Sequence, residues 1–149
     1  MSSKNSHEYY MKKVLELAED LKNEGIEIPV AAIVVKDGEI VGSGVNTREK
    51  KRSILGHAEI NAIKDASKNL KQWNLEDCTL YISLEPCPMC AGAILQSHIK
   101  NVVYGASEPK SGAFGSRYNI DTKNMNITSG VLEEECRQLL CSFFAEHIR

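Results

Sequence analysis

The segment from Pro86 to Cys90, which reads Pro-Cys-Pro-Met-Cys, constrains the fold more than any other part of the chain. A β-prone run over 79–83 precedes it, and two prolines so close together must end that strand. The second proline suits the first turn of a helix, where its backbone nitrogen needs no partner. Cys87 and Cys90 are three residues apart at this helix start, so their side chains lie on one face, about 5–6 Å apart. The sequence therefore predicts a strand leading directly into a helix whose first turn carries two thiols.

The rest of the chain alternates between helix-like and strand-like patterns. Apolar residues recur every three or four positions in predicted helices over 6–24, 57–68, 88–98 and 131–148. β-prone runs predict strands over 30–35, 40–45, 79–83, 100–105 and 126–129. The first strand is apolar enough to be buried on both faces, and an Asp-Gly turn joins it to the second as a hairpin. The intervals 46–56 and 106–125 are predicted to be loops. This alternation predicts an α/β fold, a three-layer α/β/α sandwich with a central mixed sheet of about five strands.

The composition fits a single domain over residues 1–149. Apolar residues make up 42% of the chain and charged residues 26%, as in ordinary globular proteins. No apolar run approaches 18 residues, which excludes a transmembrane helix. The polar start, Met1 to Ser6, lacks the apolar core of a signal peptide, so we expect a cytoplasmic protein. The net charge of −2 argues against a globally basic nucleic-acid binder, although it leaves room for a local basic patch.

Three residues in two motifs form a candidate metal site. His57, Cys87 and Cys90 are ligand types that zinc prefers, and a helix N-terminus favours the metal-binding thiolate. A structural zinc site uses four protein ligands, whereas a catalytic one leaves a position for water. Glu59, in the first turn of its predicted helix, can reach the same site and move protons without binding the metal. We therefore predict one catalytic zinc ion (Zn2+) per chain, with Glu59 as the catalytic acid–base residue.

Each part of this pattern also has a simpler interpretation. A lone C-x-x-C can be a redox pair or two packed thiols, and a lone H-x-E often lies on a solvated helix face. Cys78 is the only candidate fourth ligand for a structural site, but the predicted strand separates it from Cys87. Cys78, Cys136 and Cys141 are predicted to be small buried hydrophobic residues. Three histidines are assigned to no site: His7 near a frayed N-terminus, His98 at a helix end, and His147 near the C-terminus.

Together the motifs match the H-x-E…P-C-x-x-C arrangement of zinc deaminases. From about Tyr9 to Phe144 the chain resembles the cytidine deaminase-like superfamily and, within it, the bacterial tRNA-specific adenosine deaminases. The resemblance is carried by residues 28–32, Asn46 with 48–49, 80–93, 102–106, 109–113 and 130–136. It implies zinc-dependent hydrolytic conversion of the wobble adenosine in a tRNA anticodon stem-loop to inosine, with release of ammonia. It also implies a homodimer in which the partner chain completes the pocket.

The resemblance further suggests which residues contact the substrate. Asn46 resembles the family's base-contacting asparagine, whose amide offers both a donor and an acceptor. On loop propensity alone, Asn46 is a turn residue after the second strand. The basic run over 48–52 could meet RNA phosphates, although a solvated loop would carry the same charges. The other predicted substrate contacts are Val30, Ala58, Leu84, Glu85 and Lys110.

The chain departs from the family pattern in four places. An alanine, Ala31 or Ala32, replaces a usual glycine, Ile54-Leu55-Gly56 replaces a Pro-Thr-Ala run, Glu108 replaces an aspartate, and the sequence stops at Arg149 without a basic tail. These departures leave the zinc ligands intact but affect the expected pocket and RNA contacts. The main alternative is a deaminase of a free base or nucleoside, of the guanine or cytosine type, because it uses the same zinc chemistry and the motif alone cannot separate the two. A non-catalytic zinc-stabilised RNA-binding module is a third hypothesis, which four protein ligands would support.

Overall fold

The protein is built on a five-stranded mixed sheet with helices on both faces. This architecture confirms the predicted α/β/α sandwich. The computed structural model describes residues 6–147. The helices are α1 (His7–Glu24), α2 (Arg48–Lys51), α3 (Ala58–Leu70), α4 (Pro88–Ser97) and α5 (Glu133–His147). The strands are β1 (Ala31–Lys36), β2 (Glu39–Val45), β3 (Thr79–Leu84), β4 (Asn101–Ala106) and β5 (Asn126–Thr128). Most of the predicted polar N-terminal segment, the predicted helix end at Ile148 and the residue Arg149 lie outside the described residues.

The order of the strands in the sheet is β2-β1-β3-β4-β5. β1 runs antiparallel to both of its neighbours, whereas β3, β4 and β5 run parallel to one another. The carboxyl ends of β2, β3 and β4 therefore lie at the same end of the sheet as the beginning of β1. Every segment that carries a predicted metal ligand or substrate contact starts or finishes at this end.

Two hydrophobic cores, one on each face of the sheet, hold the layers together. α3 and α4 cover one face, where Ala32 and Val34 of β1 are fully buried. α1 and α5 cover the other face, where Ala31, Ile33 and Val35 of the same strand are buried. β1 is thus buried on both faces, as its apolar run predicts.

α3 lies unusually close to β2 because the strand carries two glycines beneath it. A Cβ atom on Gly42 would lie 2.5 Å from the backbone nitrogen of Ala66, and one on Gly44 would overlap the backbone of Ala62. The helix presents small side chains to the strand, and Ala62 and Ala66 are fully buried. This direct backbone contact fixes the height of α3 above the sheet, and with it the position of the residues at its N-terminus.

The structure corrects several predictions. The predicted loop over 46–56 contains the short helix α2, which is too brief for sequence periodicity to reveal. α5 begins at Glu133 rather than at 131, because Gly130 and Leu132 adopt left-handed backbone conformations. Cys141 is exposed rather than buried, since α5 packs on the sheet through only one of its faces.

The start of α1 makes a contact that the sequence did not predict. His7 begins α1, and its Nδ1 atom lies 2.8 Å from the hydroxyl of Tyr81. Ser6 caps the helix by accepting a hydrogen bond from the backbone of Tyr9, and Gly25 ends it in a left-handed conformation, both as predicted. Across residues 6–147, no helix has the length and hydropathy of a membrane span.

Candidate active site

Two helix N-termini meet at the end of the sheet described above. His57 is the N-cap residue of α3, and Cys87 is the N-cap residue of α4. Pro88 occupies the first turn of α4, as predicted, and Cys90 lies within that turn. The positive ends of both helix dipoles therefore face the two cysteine sulfurs, which favours the thiolate form.

The ligand atoms of His57, Cys87 and Cys90 form a compact cluster. His57 Nδ1 lies 3.3 Å from Cys90 Sγ and 3.8 Å from Cys87 Sγ, and all three ligand atoms lie within 4.8 Å of one another. Tetrahedral zinc with ordinary bond lengths places its nitrogen and sulfur ligands about 3.6 Å apart. The donor set and its spacing thus fit a zinc ion. Among the described residues, Cys78 lies outside this cluster, buried in the core at the other end of β3.

Hydrogen bonds among the three side chains shift their pKa values in a way that suits metal binding. Hydrogen bonding from Cys90, and then from His57, lowers the pKa of Cys87 to about 4. The same interaction with Cys87, together with burial, raises the pKa of Cys90. The hydrogen bond to Cys87 is the main reason why the pKa of His57 is raised. These interactions favour the thiolate form of Cys87, which is the form that binds a metal.

Glu59 is buried beside this cluster, in the first turn of α3. Only 4% of its surface is exposed. Burial is the main cause that raises its pKa to about 7, while the neighbouring His57 opposes the rise. A carboxyl group with such a pKa can both accept and release a proton near neutral pH, which general acid–base catalysis requires.

A cavity of about 450 Å³ opens above these residues, a volume within the usual range for small-molecule sites. We call His57, Glu59, Cys87 and Cys90 the floor of the site. The walls include Val30, Asn46, Leu84 and Glu85, four of the predicted substrate contacts. The remaining lining residues are Ile26, Glu27, Ile28, Arg48, Glu49, Glu108, Ser111, Leu140, Phe143 and Phe144.

Comparison with known proteins identifies the family. The family model described as MafB19-like deaminase matches residues 5–146. The chain belongs to this deaminase family. A tRNA-specific adenosine deaminase from Haemophilus influenzae is 48% identical over 143 residues, which cover 92% of this chain and 82% of that protein.

Solved structures agree with this assignment. A structure from a study of A-to-I editing by tRNA:A34 deaminases is 32% identical, with a TM-score of 0.79, and the match covers 88% of this chain and 98% of that one. A guanine deaminase from Nitrosomonas europaea is 27% identical, with a TM-score of 0.82, over 93% of this chain and 84% of that one. The deaminase thus shares its fold with enzymes named for two kinds of purine substrate.

Asn46 of this deaminase joins the cavity wall to the floor. Its Oδ1 atom accepts a hydrogen bond of 2.9 Å from the backbone nitrogen of Ala58, and its Nδ2 atom donates one of 2.9 Å to the carbonyl of Ile28. Ala58, predicted as a substrate contact, is fully buried and lies outside the cavity lining. The amide of Asn46 keeps one further N–H and one further lone pair that can face the cavity. Its predicted contact with a base is compatible with this geometry.

Glu85 holds a loop of the deaminase in place over the cavity. Its buried carboxylate accepts hydrogen bonds from the backbone nitrogens of Glu108, Phe114 and Ser116, and from the Ser116 hydroxyl. Lys110, also predicted to contact substrate, is exposed on this loop outside the cavity lining, while its backbone nitrogen donates to the Glu108 carboxylate. Glu85 therefore acts on the cavity through the loop backbone.

A second buried glutamate anchors another segment beside the cavity, and sequence reasoning missed it. The Glu27 side chain accepts hydrogen bonds from the backbone nitrogens of Glu49 (3.1 Å) and Lys50 (2.7 Å) at the start of α2. We call the two anchored segments, 47–56 and 107–118, the rim of the site. The one sequence signal for Glu27 is an acidic residue between Ile26 and Ile28, just before a buried strand.

Sequence reasoning also missed an apolar wall of the cavity. Leu140, Phe143 and Phe144 of α5 line it together with Ile26. The periodicity of α5 does mark Leu140 and Phe143 as packing positions, but it cannot show that they face a cavity rather than the core.

Proposed function

We propose that this deaminase converts the wobble adenosine of a tRNA anticodon to inosine by zinc-dependent hydrolysis. The observation that carries the proposal is the buried Glu59 beside a three-ligand cluster, in a chain 48% identical to a tRNA-specific adenosine deaminase. Water supplies the new oxygen of the base, and the exocyclic amino group leaves as ammonia. Residues 1–149 would act as a single zinc-dependent deaminase domain.

The floor residues divide the chemistry between them. His57, Cys87 and Cys90 would hold one zinc ion per chain, whose Lewis acidity activates water near neutral pH. Glu59 accepts a proton from the attacking water and delivers it to a ring nitrogen of the adenine. The same carboxyl group then assists the departure of ammonia. Its burial keeps it poised between its two protonation states, and its place in the first turn of α3 holds it beside the reacting atoms.

The walls suit a flat base. Val30 and Leu84 offer apolar surface, and the spare donor and acceptor of Asn46 can recognise a base edge. An anticodon loop presents unpaired nucleotides, which enter such a pocket at lower energetic cost than paired ones. The resemblance to tRNA deaminases leads us to propose that the enzyme works in the cytoplasm. It also leads us to propose a homodimer, and light scattering on the purified protein tests that oligomeric state.

The deciding experiment compares four substrates under one set of conditions. Wild-type protein is incubated with an anticodon stem-loop that carries adenosine at the wobble position, and with free adenosine, guanine and cytosine. We expect inosine in the stem-loop and little turnover of the free compounds. Efficient turnover of a free compound with an untouched stem-loop would contradict the proposal.

Guanine deamination is the second candidate function. Its support is the likeness to the guanine deaminase from Nitrosomonas europaea, with a TM-score of 0.82. The substrate panel above separates it from the first candidate. A non-catalytic RNA-binding module is less well supported, because Glu59 is buried beside a cluster of only three ligand residues among those described.

A further inference from the structure

Acidic side chains outnumber basic ones in the lining of the cavity of this deaminase. Five glutamates line it, but Arg48 is the only lysine or arginine that does so within residues 6–147. The lining glutamates are Glu27, Glu49, Glu59, Glu85 and Glu108. An RNA substrate brings phosphates to the mouth of any pocket that takes up one of its nucleotides. The position of the single cation therefore matters more than the overall charge.

The other basic residues of the run over 48–52 do not line the cavity. Lys50 pairs with Glu24 on the protein surface. Lys51 and Arg52 are exposed and lie outside the cavity lining. Arg48 is half exposed, and its only ion pair among the described residues is a loose one, 3.5 Å from the carboxylate of the exposed Glu49. Its guanidinium can exchange that exposed partner for a phosphate at little cost, because surface ion pairs contribute about 0–1 kcal/mol.

The backbone around Arg48 is firmly held. The Glu27 carboxylate binds the two backbone nitrogens that follow Arg48, and the Arg48 carbonyl accepts a hydrogen bond of 3.1 Å from Ser53. The ends of the segment are closed by a 2.8 Å hydrogen bond from Thr47 to the carbonyl of Gly56. This anchoring sets the direction in which the Arg48 side chain leaves the turn.

We propose that Arg48 binds a backbone phosphate next to the target nucleotide, and that the buried Glu27 is the positioning residue that holds Arg48 at the mouth of the cavity. The proposal rests on the proposed function, since it requires an RNA substrate. It selects one of several cations as the residue that distinguishes RNA from a free nucleoside, which has no phosphate to offer.

The test compares Arg48→Gln with Arg52→Gln. Both variants remove one positive charge from the same turn, but only Arg48 lines the cavity. For deamination of the stem-loop, we expect Arg48→Gln to raise KM about tenfold more than Arg52→Gln does, the size of one charge-assisted hydrogen bond, with kcat little changed. The slope of log KM against log salt should fall by about one in the Arg48 variant. Equal KM values for the two variants would overturn the proposal.

A double-mutant cycle tests the role of Glu27. Glu27→Gln replaces an acceptor oxygen with an amide NH2, so one of the two backbone nitrogens loses its partner. We expect it to raise KM in the wild-type background but not in the Arg48→Gln background. An equal rise in both backgrounds would show a general structural defect and refute the positioning role. If the wild-type enzyme leaves the stem-loop untouched, the proposed function itself has failed, whatever the variants do.

Discussion

The floor and the rim of the site are built by different physical means. The floor residues stand at the N-termini of α3 and α4, so regular secondary structure packed on the sheet sets their positions. The rim consists of two irregular segments, and each is held by a buried carboxylate that accepts hydrogen bonds from backbone nitrogens. The floor thus derives its geometry from helix packing, whereas each rim segment relies on one buried carboxylate in addition to its own backbone hydrogen bonds.

This difference separates chemistry from recognition. Floor side chains are chemically demanding, since zinc binding and proton transfer each need particular groups at particular distances. Rim side chains can change while the anchoring glutamates keep the backbone in place. Substitution of Glu59 should therefore remove activity at constant stability. Substitution of a metal ligand should remove the ion as well, and with it the stability that metal binding adds. Substitution of a rim anchor should lower stability or substrate affinity.

The largest effect is expected from Cys87→Ala, which removes one of three metal ligands. We expect zinc content to fall well below the ~1 ion per chain of the wild type, and activity to fall to background. Metal analysis of the purified protein measures this. Cys78→Ala is the matched control, because that buried thiol lies outside the cluster and its loss should leave zinc in place. Full zinc occupancy in the Cys87 variant would refute the ligand assignment.

Glu59→Gln should affect the reaction alone. The amide keeps the shape of the side chain but cannot carry the proton, so turnover should fall by about 10²–10⁴. Zinc content and melting temperature should match those of the wild type, since Glu59 is not a ligand. Near-normal turnover in this variant would mean that another group moves the proton.

Glu85→Gln tests the rim. Loss of acceptor capacity leaves at least one buried backbone nitrogen unpaired and places an amide N–H against it, which should lower the free energy of unfolding by about 3 kcal/mol. Urea denaturation measures the change. Glu76→Gln is the control, because that exposed glutamate forms a surface ion pair with Lys100 and should cost at most about 1 kcal/mol. Equal costs for the two variants would show that Glu85 does not anchor the loop.

The smallest effect is expected where floor and rim meet, at Asn46. Asn61→Ala is its counterpart, since Asn61 also donates to this segment, at Val45 and Thr47, but lies outside the cavity lining. Both alanine variants should lose roughly 1–2 kcal/mol of stability. Only Asn46→Ala should also reduce kcat/KM, by about tenfold, if its amide contacts the base. Equal kcat/KM values would confine Asn46 to a structural role.

The floor could be predicted from sequence because its chemistry needs rare residue types at helix starts. His57, Glu59 and the cysteine pair are recognisable from residue type, spacing and the proline that opens α4. The rim could not be predicted, because Glu27 and Glu85 bind backbone nitrogens more than 20 residues away. Every residue except proline offers a backbone N–H group, so the sequence does not mark which residues form such a hydrogen bond. The exposure of Cys141 was missed for a related reason, since periodicity locates a helix face but not how much of it is covered.

The close contact between α3 and β2 means that a change at the edge strand can shift the whole helix. Gly42 lies under Ala66, and the nine residues from there back to His57 span about 13 Å at the rise of an α-helix. A side chain added at Gly42 or Gly44 would push α3 away from the strand and tilt it. The tilt would displace the N-terminus of the helix, where His57 and Glu59 lie. The mutational sensitivity of the catalytic centre therefore extends to two glycines that touch neither metal nor substrate.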